Sequence, residues 1–292
     1  MIEKYVVCFG EILWDNLDTG KRLGGAPLNV CYHLNKLGVD GKIVAQIGAD
    51  EDGRAILQEL KHLKIDSSFC SITASKPTST VEVLLGDNQD IRYEILEDVA
   101  WDYIESSPAI EELVDGASAL VFGSLIARNT VSRKTLFRLV QRSTFNVFDV
   151  NLREPYFTKE LILDLLKVTH LLKLNAEELN VISQWLGAGQ LESNRQVLHL
   201  QQHFPSIQEI ILTLGAEGAR YYAGEQRVTV EAKTVDIKDT VGSGDAFLAG
   251  FLAHKIKGSP IHRALQAGSS LSSFVASRQG ACPEYELGEL SS

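Results

Sequence analysis

The stretch DTVGSGDAFLAGF, residues 239–251, sets three small residues, Gly242, Ser243 and Gly244, directly before Asp245 and then turns apolar. It reads as a glycine-rich turn that becomes a helix at Gly244 or Asp245. A helix start leaves its first N–H groups without partners and carries partial positive charge. Gly242 and Gly244 let the backbone come close to a ligand. Together these features make a cradle for a phosphate or a developing oxyanion. A carboxylate at its lip can take the proton of a hydroxyl while the cradle holds the other reactant. The plain alternative is that Asp245 caps its own helix.

Outward from this turn, short apolar runs alternate with amphipathic ones. KYVVCFG (4–10), KIVAQIG (42–48), SALVFGSL (118–125), FNVFDV (145–150), THLLKLN (169–175) and EIILTLG (209–215) predict buried strands. PLNVCYHLNKLG (27–38), DGRAILQELKHL (52–63), NTVSRKTLFRLVQRS (129–143) and KELILDLLKV (159–168) predict helices. This alternation implies an α/β fold, a mostly parallel sheet with helices on both faces. Two stretches break the pattern. EILWDNLDTGKRLGG (11–25) follows the first strand without a helix, and TSTVEVLLGDNQDIRYEIL (78–96) predicts a hairpin around GDNQD. Both are expected in a small β flap, or lid, spanning about 11–25 and 78–100, over the carboxyl ends of the main strands. That edge is where open α/β sheets bind ligands. No repeat or linker divides the chain, so residues 1–292 are expected to form one domain. The last ten residues are expected to be a surface tail.

A net charge of -10 argues against nucleic acid and anionic membrane surfaces as partners, since both favour a basic face. Cys8, Cys31, Cys70 and Cys282 lie far apart, with no CxxC pair. They are expected to be reduced thiols in a cytoplasmic protein. The N-terminus lacks the apolar core of a signal peptide, and no apolar run is long enough to span a bilayer. The P-loop pattern G-x-x-x-x-G-K-[ST] does not occur. Only one glycine follows the first strand in VVCFGEILWD, where a dinucleotide fingerprint needs G-x-G-x-x-G.

DTVGSGDAFLAGF resembles the second signature of the PfkB/ribokinase-type sugar kinases, and LGGAPLNVCYHLNKLG (23–38) resembles their first. The likeness continues in order through QIGADEDG (46–53), DVNLR (149–153), LKLNAEEL (172–179), LTLGAEGA (212–219) and SRQGACP (277–283). FGEILWD, GGAPLNV, DVNLREPYF and LEDVAWDYI look most like bacterial fructokinases. The resemblance implies a ribokinase-like fold and ATP-dependent phosphorylation of a sugar hydroxyl, with Mg²⁺. Asp245 would be the base, and Gly242, Ser243 and Gly244 the anion hole with the N–H of Asp245. Ser243 stands where many relatives have Ala, which keeps the residue small. Asp15, Gly25 and Asn29 would hold the sugar hydroxyls. Asn175 and Glu178 would position the phosphates and Mg²⁺, Glu178 through water. Thr213, Gly215 and Gly218 would form the nucleotide loop, and Arg153 would face the transferring phosphate. A monovalent cation such as K⁺ near Asp239 and SRQGACP, and a homodimer through the flap, are further implications.

Plainer readings stand beside these. Asp15 suits an exposed turn, Asn29 a cap near Pro27, Asn175 and Glu178 an N-capped helix, and LTLGAEGA a hairpin turn. Arg153 alone would be an ordinary surface residue. His199 and His203 share a helix face, but no Glu follows His199 as a zinc protease needs. The DED run at 50–52 suits a helix start, and Ser124 lacks the second glycine of a nucleophile elbow.

The flap stretch 81–100 holds Glu82, Asp87, Asp90, Glu94, Glu97 and Asp98 against Arg92 alone. A phosphosugar would meet like charge there, so the expected substrate is a small neutral sugar, fructose first, giving fructose 6-phosphate. Ribose, 2-keto-3-deoxygluconate and nucleosides are the alternatives within the class. A sugar- or nucleotide-binding protein without turnover is the alternative of another class, and a nucleotide-binding oxidoreductase is disfavoured by the missing glycine fingerprint.

Overall fold

The structure, a computed structural model, describes residues 4–17, 20–85 and 91–291. In chain order its strands are β1 (Tyr5–Phe9), β2 (Leu13–Leu17), β3 (Gly20–Gly24), β4 (Asp40–Gly48), β5 (Cys70–Thr73), β6 (Ser79–Leu85), β7 (Ile91–Ile95), β8 (Ala119–Gly123), β9 (Asn146–Asp149), β10 (Leu171–Asn175), β11 (Glu209–Thr213), β12 (Ala219–Ala223) and β13 (Gln226–Val230). The helices are α1 (Ala26–Lys36), α2 (Glu51–His62), α3 (Pro108–Asp115), α4 (Thr130–Val140), α5 (Lys159–Lys167), α6 (Ala176–Trp185), α7 (Ser193–His203), α8 (Ser243–Ile256) and α9 (Ile261–Ala276).

β1 shows why apolar runs without polar alternation become central strands. Val6 and Cys8 enter one apolar layer and Val7 and Phe9 the other, all fully buried. A strand covered on both faces has no solvent side to keep polar. The large sheet runs β13-β12-β11-β10-β9-β8-β1-β4-β5. From β11 to β5 its strands are parallel, and β12 and β13 extend one edge as an antiparallel hairpin. One layer packs α1, α2, α8 and α9 on the sheet, the other α3 to α7. The expected α/β architecture is borne out. α8 is buried continuously from Asp245 to Ala253, as a helix apolar on all sides must be.

The flap is a second sheet, β3-β2-β6-β7. β2 pairs antiparallel with β3, Asp15 opposite Arg22, and parallel with β6; β6 and β7 form the expected hairpin. The expected turn GDNQD, 86–90, lies outside the described residues. β5, β12, β13, α3 and α9 add to the elements foreseen. Most of the described tail is exposed, as expected, but Tyr285 is only 3% exposed, its ring packed on His33 and Phe274 and its hydroxyl 3.0 Å from His33 Nδ1.

The DED run is a helix start, and it also ties the flap to the large sheet. Asp50 caps α2, accepting from the Gly53 N–H at 2.8 Å. It accepts as well from the Thr78 N–H at 2.7 Å and the Thr78 hydroxyl at 2.6 Å, just ahead of β6. Burial raises the pKa of this carboxyl, but the Thr78 and Gly53 bonds outweigh it and hold it below the ordinary value. Asp50→Ala is expected to lower the unfolding free energy by about 2 kcal/mol in denaturant titrations at pH 7. Since the folded pKa is depressed, the difference should shrink as the pH falls below about 4.

Candidate active site

The carboxyl ends of β1, β9, β10 and β11, the start of α8 and the flap enclose a cleft of about 1170 Å³. Every site residue that the family resemblance implies lines it. Asp15, Gly25 and Asn29 lie on it from the flap and α1. Thr213, Gly215 and Gly218 lie on it from the β11–β12 connection. Gly242 to Asp245, Arg153, Asn175 and Glu178 complete the set.

Helix α8 starts at Ser243, and its cap is Gly242 rather than Asp245. Gly242 has φ 74°, and a Cβ there would lie 2.3 Å from the Cβ of Ala281. Only glycine fits that turn. The Ser243 N–H closes the turn onto the Thr240 carbonyl at 3.2 Å, so the N–H groups of Gly244 and Asp245 are the first-turn donors left for a ligand. The Asp245 side chain, 9% exposed, accepts from Asn29 Nδ2 at 2.8 Å. That bond spans 216 positions of sequence. Burial first, and then repulsion from Asp149, push its pKa up to about 6; Lys173, the Asn29 bond and Arg153 pull the other way. A carboxylate so poised is ionised at neutral pH yet basic enough to accept a proton.

Three charged groups around it were not singled out. Lys173 of β10 and Asp149 of β9 face each other in register, with Nζ 2.8 and 2.7 Å from the two carboxylate oxygens. They are 7% and 4% exposed. Nζ lies 3.2 Å from where a Cβ on Gly244 would sit, directly beneath the cradle. Burial disfavours the ammonium, but Asp149 and Asp245 outweigh it and raise the Lys173 pKa, so it stays charged. The signal was a single charge inside each of two apolar strands, FNVFDV and THLLKLN. Glu11, just past β1, is 3% exposed. Its Oε1 accepts the Ala26 N–H at 3.2 Å, and Oε2 has no partner among the described residues. Burial pushes this carboxyl up to about 7, with Asp245 adding to the rise and Arg153 opposing it. A Cβ on Gly25, at φ 122°, would lie 2.3 Å from the Glu11 carbonyl oxygen, so the turn into α1 needs glycine.

A model for pfkB family carbohydrate kinases matches residues 3–286. The chain belongs to that family. A fructokinase of Rhizobium leguminosarum bv. trifolii is 28% identical over 266 residues, covering 85% of this chain and 78% of the relative. The crystal structure of Xylella fastidiosa fructokinase with bound ATP has a TM-score of 0.86 at 20% identity, covering 99% of this chain and 97% of that one. Vibrio cholerae O395 fructokinase, in its fructose-, ADP- and calcium-bound form, has a TM-score of 0.82 at 20% identity, covering 100% and 99%. The fold is therefore the ribokinase-like one. No helix among the described residues is long and apolar enough to cross a membrane.

In this pfkB kinase the plainer readings of several residues are realised as geometry. Asn175 and Glu178 form a capping box at the start of α6. Glu178 Oε1 also accepts the Leu152 N–H at 3.1 Å, and burial, with Asp149, raises its carboxyl pKa. The oxygens are fixed by backbone donors, and their remaining lone pairs suit water held by a hard cation better than direct ligation. The Thr213–Gly218 segment is a turn between β11 and β12, and it borders the cleft all the same. Asp15 is in strand β2, not a turn, and Asn29 is inside α1, not a cap. Arg153 is exposed, and its charge lowers the pKa values of Glu11, Asp15 and Asp245 alike, which sets it among the acids of the cleft. Asp239 accepts from the Val241 and Gly280 N–H groups, each at 3.0 Å, tying the cradle turn to the 277–283 loop. His199 and His203 are bonded to backbone carbonyls of Leu186 and His199, away from the cleft.

Proposed function

We propose that this ATP-dependent carbohydrate kinase phosphorylates fructose on its 6-hydroxyl, with Asp245 as the general base. The observation that carries the reading is Asp245 held by Asn29 beside open N–H groups, with the Lys173 ammonium directly below. Asp15, Gly25 and Asn29 surround the sugar, whose hydroxyls need the mixed donors and acceptors these groups supply. Asp245 takes the proton of the attacking hydroxyl as its oxygen meets the γ-phosphorus. Gly244, Asp245, Lys173 and Arg153 hold the charge on the transferring phosphoryl group, so alignment and electrostatics supply most of the rate. Ile237 and Val241 also line the cleft, 66% and 54% exposed, and these apolar surfaces suit the flat face of a nucleotide base. Mg²⁺, when bound, would neutralise phosphate charge, and Asn175 and Glu178 are the groups suited to hold its waters. The flap closes over the sugar and keeps water from the reaction.

Charge supports a neutral sugar. Glu11, Asp15 and Asp245 border the sugar end of the cleft. Of the nearby cations, Arg22 already lies 3.7 Å from Asp239, and Arg153 is committed to the transferring phosphoryl group. A second phosphate on the substrate would meet mainly carboxylates among the described residues at this end. ADP formation measured over fructose, ribose, 2-keto-3-deoxygluconate, a nucleoside and fructose 6-phosphate tests this. We expect kcat/KM for fructose at least about tenfold above the rest, which corresponds to about 1.4 kcal/mol. Turnover confined to the phosphorylated sugar would overturn the charge argument. Calorimetric sugar binding without ADP formation would favour a non-catalytic binding protein.

A further inference from the structure

We propose that Cys282 is a positioning residue, whose thiol fixes the amide of Asn29 against Asp245. The inference rests on the reading of Asn29 and Asp245 as the sugar-facing pair. An Asn amide has a donor end and an acceptor end, and its neighbours decide which way it turns. Here two neighbours agree. The Asp245 carboxylate accepts from Asn29 Nδ2 at 2.8 Å, and the Cys282 thiol donates to Asn29 Oδ1 at 3.3 Å. Turned over, the amide would set its oxygen against the carboxylate and its NH₂ against the thiol. Burial, with Asp245 and Cys31 adding to it, pushes the thiol pKa far above neutral, so Cys282 keeps the hydrogen it donates. In the observed orientation one hydrogen of Asn29 Nδ2 goes to Asp245, and the second is left for a substrate hydroxyl.

The segment that presents Cys282 is clamped on both sides by the helix that carries Asn29. Asn29, Tyr32 and His33 are spaced i, i+3 and i+4 on α1, which puts them on one face. The Tyr32 hydroxyl donates to the Pro283 carbonyl at 2.7 Å, and His33 Nε2 meets the Ala281 carbonyl at 2.9 Å. His33 is fully buried, and burial lowers its pKa to about 4, so it is neutral. Since the carbonyl only accepts, Nε2 carries the ring hydrogen and Nδ1 accepts from Tyr285. The residues on either side of Cys282 are therefore pinned to the helix whose amide the thiol orients.

The test compares Cys282→Ala, which removes the donor, with Cys282→Ser, which keeps one. In Cys282→Ala the buried Asn29 oxygen loses its partner. We expect a sugar KM about fivefold higher at pH 8, kcat within about twofold and an unchanged ATP KM. Asp245 is surrounded by Asp149, Lys173, Arg153, Asn29 and, nearby, Glu11. Among these the Asn29 bond lowers its pKa, so the acid limb of kcat/KM should move up by about half a unit when that bond loosens. Cys282→Ser should recover both properties. Wild-type sugar KM and acid limb in Cys282→Ala would overturn the proposal, as would a Cys282→Ser variant as impaired as Cys282→Ala. Titration of the Asp245 carboxyl by ¹³C NMR in the same variants needs no turnover. An upward shift in Ala that Ser reverses supports the geometry even if the kinase reading fails on every sugar, and no shift in Ala overturns it.

Discussion

Asp245→Asn is expected to lower kcat about 10³-fold and to change the sugar KM less than about threefold. The substitution keeps the size of the side chain and the shape of the cradle, and removes only the ability to take a proton. Asn29 can still pair with the new amide, so the sugar end should remain assembled. The pH profile separates loss of a base from loss of structure. Asp245 works ionised, and its pKa is pushed up to about 6, so wild-type kcat/KM should fall tenfold per unit as the pH drops below that value. The residual activity of Asp245→Asn should be flat through the same range. Steady-state assays between about pH 5 and 8 read both. More than a tenth of the wild-type kcat, or an unchanged acid limb, would remove Asp245 from the base role.

Much of this arrangement is legible in the sequence because it is local. DTVGSGDAFLAGF shows its cradle, since a glycine-rich turn before a helix determines its own geometry. The strands of the large sheet are legible because burial on both faces demands unbroken apolar runs. What is not legible depends on distance. Asn29 reaches Asp245 across the fold, and nothing near either residue announces the partner. Glu11 reads as one acid after a strand, and only packing against Gly25 and Ala26 shows it buried at the root of α1. Cys282 reads as one more reduced thiol, and only the fold pins the turn beside it to α1. Lys173 and Asp149 are an intermediate case. Each is a charge where the strand pattern asks for an apolar residue, which signals a partner, but the parallel register that joins them is a property of the sheet.

Lys173→Met is expected to have the second large effect, on stability and turnover together. Removing the ammonium leaves Asp149 buried without a partner, which should cost about 3–5 kcal/mol in denaturant unfolding. It also removes the fixed positive charge beneath Gly244, where phosphoryl charge is proposed to gather, and kcat should fall about 10²-fold. The sign of the pH effect follows from the charges. Lys173 lowers the Asp245 pKa and Asp149 raises it. Without the lysine the two acids together hold a proton more tightly, and the acid limb of kcat/KM should move above 6. The double variant Lys173→Met with Asp149→Leu divides these roles. With both charges gone and an apolar pair in the space, most of the stability should return. The acid limb should move back towards its wild-type position, since the opposing influences on Asp245 leave together. The catalytic loss should persist, because no leucine or methionine can hold phosphoryl charge. A double variant with wild-type kcat would mean that the buried pair serves the fold alone and that the cradle works on its N–H groups and Arg153.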